Sequence, residues 1–150
     1  PFLAATLNNL GVISSNESPR FLRSTISFDS LVPGYATKIQ VKFQTNCPLL
    51  SPGTPAYIQI SGFRGIKTAS GLISIYGSES FLVSKSAVAD LDSESGTLSL
   101  VGGSITSFKE YSFYFFLVGD PRLMNSSNVL VIAAQSNAVV IGPQNFQVVT

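Results

Sequence analysis

Hydrophobic area is densest at residues 109–118, Lys-Glu-Tyr-Ser-Phe-Tyr-Phe-Phe-Leu-Val. Laid out as a strand, Tyr111, Phe113, Phe115 and Leu117 share one face, while Ser112, Tyr114 and Phe116 share the other. Large side chains on both faces predict a central strand. At roughly 1.5 to 3 kcal/mol per large side chain, its burial contributes on the order of 10 kcal/mol, provided other strands cover it. The cleanest alternation lies at 36–45, with Ile39, Val41 and Phe43 on one face and Lys38, Gln40, Lys42 and Gln44 on the other. One face is therefore wet, as in an antiparallel sheet packed on one side. Further strands are predicted at 25–28, at 56–61 with Ile58 and Ile60 inward, and at 96–101 with Leu98 and Leu100 inward. Residues 128–134 carry four consecutive apolar positions, Val129 to Ile132, as for a strand covered on both faces. The segments 71–76, 80–84, 138–141 and 145–149 complete the set, while 87–95 reads as an exposed loop with room for one helical turn.

Turn signals separate these segments at fairly even spacing. Val32-Pro33-Gly34-Tyr35 suits a type II turn, and the three prolines between Cys47 and Pro55 exclude regular structure there. About eight to ten short strands with such punctuation predict an all-β, antiparallel β-sandwich, immunoglobulin-like or jelly-roll-like. Residues 1–20 stand apart. A mildly apolar stretch from Phe2 to Ile13, without clean alternation, runs into Ser14-Ser15-Asn16-Glu17-Ser18-Pro19. It reads as an arm and linker in front of a domain at 21–150.

Composition agrees and narrows the function. A hydrophobic fraction of 45% with 11% charged residues, 12 Gly and 8 Pro disfavours both disorder and a helical bundle. The net charge is +1, with Lys and Arg scattered, so nucleic acid is not an expected partner. No apolar run approaches the roughly 20 residues of a membrane-spanning helix, and the first residues lack the basic start of a signal peptide. The single Cys47 permits no internal disulfide and lacks the basic neighbours that activate a thiol.

With no histidine, a Ser-His-Asp or Cys-His nucleophile and a His-bearing zinc site are ruled out. The eight acids sit mostly in turns or beside polar neighbours, which argues against a glycosidase pair, so no enzyme and no cofactor are expected. Asp90, Asp92 and Glu94 place three oxygen ligands at alternate positions, a weak calcium candidate whose plain reading is a solvated acidic loop. Asn16-Glu17-Ser18 and Asn125-Ser126-Ser127 fit the N-glycosylation pattern, and both fall in predicted loops. Tyr35, Tyr57, Tyr76 and Tyr114 could form a sugar platform, although Trp, its usual residue, is absent, and tyrosines with one wet end are the simpler account.

The order of motifs resembles a known family. Phe21-Leu-Arg-Ser-Thr-Ile-Ser-Phe, Pro33-Gly34-Tyr-Ala-Thr-Lys-Ile39-Gln-Val41-Lys-Phe43, Asn46-Cys-Pro-Leu49, and Ile58-Gln-Ile60-Ser61-Gly62-Phe63-Arg-Gly65 come first. Gly96-Thr97-Leu98-Ser99-Leu100, the aromatic run Tyr111 to Leu117, and Val129 to Ala134 follow. The succession is similar to the tandem β-sandwich repeats of large secreted proteins of algae and other protists, also seen as glycoprotein fibrils in natural water. It departs at Gly119-Asp120-Pro121, where those repeats often show Asn-Pro. The resemblance covers about residues 21–134 and implies a structural, extracellular, glycosylated module whose partners are copies of itself. An apolar arm then has a use: Phe2, Leu3, Ala5, Leu7 and Leu10 would pair with a neighbouring module's sheet edge. The alternatives are a carbohydrate-binding or adhesin-like module, and a viral or phage jelly-roll subunit.

Overall fold

The aromatic run forms strand β7 (Glu110–Val118), with Tyr111, Phe113, Phe115 and Leu117 fully buried. The computed structural model describes residues 18–29, 36–50, 55–119, 130–136 and 139–149. The other strands are β1 (Phe21–Asp29), β2 (Ala36–Thr45), β3 (Tyr57–Ser61), β4 (Gly71–Ser74), β5 (Val88–Asp92) and β6 (Thr97–Val101). The last three are β8 (Val131–Gln135), β9 (Val140–Asn145) and β10 (Gln147–Val149), and one helical turn, α1, spans Ser80–Val83. Two sheets pack face to face: a four-stranded one in the order β10-β1-β2-β7 and a six-stranded one in the order β4-β5-β6-β3-β8-β9. All pairings are antiparallel except β1 with β10. The fold is an all-β sandwich.

Alternation fixes the two inner faces. Ile26, Ile39, Val41 and Phe43 from the four-stranded sheet join the β7 aromatics against Ile58, Ile60, Leu98, Leu100, Ile132 and Ile141 from the other. Phe43 stacks on Tyr111 at 5.7 Å between centroids, and Phe63 meets Phe115 edge-on at 6.0 Å. Tyr111 also keeps its hydroxyl satisfied, accepting from the Thr106 amide at 2.9 Å.

Four expectations need correction. β7 is an edge strand of its sheet, paired with β2 alone; its second face of aromatics looks outward. Residues 80–83 are helical, because Ser80 and Val83, three apart, are the buried pair while Phe81 and Leu82 face water. Within 87–95 lies β5: Ala89 and Leu91 alternate inward between the acids, a pattern the acidic side chains masked. β8 is covered on one face only, since Val131 and Ala133 are half-buried.

The outer edge of β7 is closed by the preceding chain. Tyr76 and Tyr114 exchange backbone bonds at 2.8 and 3.0 Å, Lys67 donates to the Val118 carbonyl at 2.7 Å, and Thr68 Oγ1 accepts from the Val118 amide at 2.8 Å. Glu79 Oε1 accepts from the Ser112 amide at 3.0 Å while its other oxygen meets Lys109 at 3.4 Å. On the opposite side of the sandwich, the Gln144 side-chain amide accepts from Phe21 N at 2.7 Å and donates to Phe21 O at 3.2 Å, standing in for a strand. Buried Asn46 anchors the end of the linker, accepting from Arg20 N at 2.8 Å and donating to Ser18 O at 3.0 Å.

Candidate functional site

The outward face of β7 gathers the most prominent surface feature. Tyr114 stacks on Tyr76 at 5.5 Å, and Phe116 meets both rings at 5.8 and 5.9 Å. Strand register explains this: Tyr114 and Phe116 are two apart on β7, and Tyr76 is bridged to Tyr114. Lys38, opposite Phe116 on β2, places its ammonium 4.5 Å from the Tyr114 ring centre. β2 and Tyr76 flank β7 from opposite sides, so Tyr114 has a cation on one face and a ring on the other. Tyr114 is thereby crowded by its own neighbours and offers little surface to a sugar. Tyr76 and Phe116 are the exposed rings of the group, at 45% and 42%, which suits a small contact patch better than a flat saccharide platform.

Of the four tyrosines named from sequence, Tyr76 and Tyr114 come together, Tyr57 lies on the other sheet bonded to Ser99 at 3.2 Å, and Tyr35 lies outside the described residues. Phe116 and Lys38 complete the patch. The signal for Phe116 was its place in the outward set of the aromatic strand; the lateral approach of Lys38 and Tyr76 is non-local and left no local mark.

Asp90 and Asp92 sit on the outer face of β5, and Glu94 follows in the turn to β6. Asp92 Oδ1 is engaged as a turn acceptor, from Glu94 N at 3.1 Å and Ser95 N at 3.3 Å. The described residues hold no group of three or more His, Cys, Asp or Glu able to bind a metal ion. Cys47 is buried, and desolvation pushes its thiol pKa up, away from the reactive thiolate. Asn16, Asn125 and the arm residues Phe2, Leu3, Ala5, Leu7 and Leu10 lie outside the described residues. Among the described residues no helix is long and apolar enough to cross a membrane.

The six-stranded sheet differs from its partner at its margins. β4 and β9 are both largely exposed, and their outward aliphatic residues Leu72 and Val140 are 73% and 66% exposed. With Phe81 on α1, these are the barest large apolar side chains of the described surface. No protein-family model matches the chain, and no curated protein matches it.

Proposed function

We propose that this chain is a structural β-sandwich module that assembles with copies of itself, a secreted, glycosylated subunit of an extracellular fibril or surface array. The observation carrying this reading is that the two end strands of the six-stranded sheet, β4 and β9, each present an exposed aliphatic side chain, Leu72 and Val140, where soluble monomers usually place charge. Support also comes from the resemblance to tandem secreted β-repeats and from two acceptor sequences, at Asn16 and Asn125, in predicted loops. The absence of histidine removes the commonest general base, and the reading assigns the chain no catalysis.

A carbohydrate-binding or adhesin-like module is the second reading, favoured by the Tyr76-Tyr114-Phe116 patch. Electron microscopy of the chain separates the two: regular filaments or arrays support assembly, whereas a monodisperse particle that retains glycans on an array supports binding. Closed symmetric shells would instead favour the viral jelly-roll alternative. Deleting residues 1–13 then separates two ways of joining. Polymers vanish if the arm carries the contact and survive if the sheet edges do.

A further inference from the structure

Residues 66–76 meet the free edge of β7 and belong to both sheets at once. Their first part bonds the far end of β7: Lys67 N and Thr68 N donate to Val118 O at 2.7 and 3.2 Å, and Thr68 Oγ1 accepts from Val118 N at 2.8 Å. The chain then leaves β7 to form β4 against β5, and returns so that Tyr76 exchanges both its backbone groups with Tyr114. Register separates the two sides of the segment. Ile75 N donates to Ala87 O at 2.9 Å, so Gly71 and Ile73, in phase with Ile75, face β5, while Tyr76, one residue on, faces β7. Between the two attachments Phe116, in phase with Tyr114, has no backbone partner at that edge among the described residues. The segment thus grips β7 at two points and not along its length.

That grip is shallow. Across residues 64–79 only Ile75 is buried, with Ile66 and Ile73 packed in part against the core. β4 is an end strand, with β5 as its one neighbour in the sheet. Glycines in the left-handed region bound the segment, Gly65 at φ 71° and Gly77 at φ 119°, and such positions absorb backbone rotation at the least cost. β7 behind it is held differently, by four fully buried side chains, Tyr111, Phe113, Phe115 and Leu117. Local opening starts where the fewest buried apolar contacts must break.

We propose that residues 66–76 are a strap that lifts from β7 and β5 as one unit, hinged at Gly65 and Gly77, while the sandwich behind it stays folded. Lifting breaks the bonds to Tyr114 and Val118 on one side and the pairing of Gly71 and Ile73 with β5 on the other. It also carries away the Tyr76 ring that stacks on Tyr114 at 5.5 Å. The backbone edge of β7 and the outer ring face of Tyr114 then open to solvent together. Closed, the strap keeps the edge of the most aromatic strand from pairing with another extended chain. Access to that edge is set by an equilibrium within the chain itself.

Amide hydrogen exchange of the full chain, read residue by residue by NMR, tests this. Within β7 the donors alternate: Tyr114 and Val118 bond the strap, whereas Phe113 and Phe115 face β2. On β5, Ala89 and Leu91 face the strap, opposite Ile73 and Gly71. Corrected for intrinsic rates, Tyr114, Val118, Ala89 and Leu91 should exchange together, at least about 100-fold faster than Phe113 and Phe115, and with a weaker dependence on urea. Thr68→Val removes one strap bond, and it should speed Tyr114, Ala89 and Leu91 by a common factor of about fivefold although none of the three bonds Thr68. Equal rates for the strap-facing amides and for Phe113 and Phe115 would overturn the proposal. So would fast exchange at Tyr114 with slow exchange at Ala89 and Leu91, or an effect of Thr68→Val confined to Val118.

Discussion

Thr37 is buried in β2 opposite Leu117, and its hydroxyl has no hydrogen-bond partner among the described residues. An unmet buried hydroxyl costs about 1–3 kcal/mol, so the isosteric Thr37→Val should raise stability by about 1 kcal/mol in urea unfolding. Unchanged or lower stability would mean that the hydroxyl has a partner after all. Buried polar atoms elsewhere are used with care: Tyr111 shares its hydroxyl with the Thr106 amide, and Asn46 bonds Arg20 and Ser18. The sequence could say that Tyr111 is buried, because it lies in phase with Phe113 and Phe115. It could not say what meets the hydroxyl, because that contact depends on how the chain turns before β7. The acids misled for a similar reason. Asp90 and Asp92 look like a loop or a cation site as a string of charges, whereas Ala89 and Leu91 between them carry the strand.

At the scale of elements the sandwich manages its edges unequally. Side chains act as strand surrogates in the four-stranded sheet: Glu79 and Thr68 bond the free edge of β7, and Gln144 bonds Phe21 at the start of β1, beyond the Thr25–Ser27 stretch that β10 pairs. Removing the surrogate beside β1, Gln144→Ala should cost about 1–2 kcal/mol by denaturant unfolding, because Phe21 loses both bonds in a half-buried setting. Exposed Gln147 on β10 serves as the control, and Gln147→Ala should stay within about 0.5 kcal/mol. Equal effects at the two positions would contradict the surrogate account. Period-two alternation made β2, β3 and β6 legible, since each has one wet and one dry face. Which strand lies at an edge was not legible: two apolar faces suggested a central β7, but its outer aromatics are covered by one another and by Lys38. Lateral neighbours are set by the fold and not by the local pattern.

For the whole molecule, the exposed aliphatic side chains on the end strands of the six-stranded sheet tie the fold to the proposed assembly. On the end strands β4 and β9 of that sheet, Leu72 and Val140 are among the barest apolar side chains of the described surface, where a contact displaces water most readily. The all-β class and sandwich were readable from strand count and turn spacing. The position of β4 and β9 as the two end strands of one sheet was not, because strand order is set by long-range pairing. The most direct test of self-assembly is sedimentation velocity of the full chain over a wide concentration range, with electron microscopy of the same samples. The account predicts a concentration-dependent rise from monomer to regular unbranched filaments. A single species near the 15.9 kDa sequence mass at every concentration would contradict it.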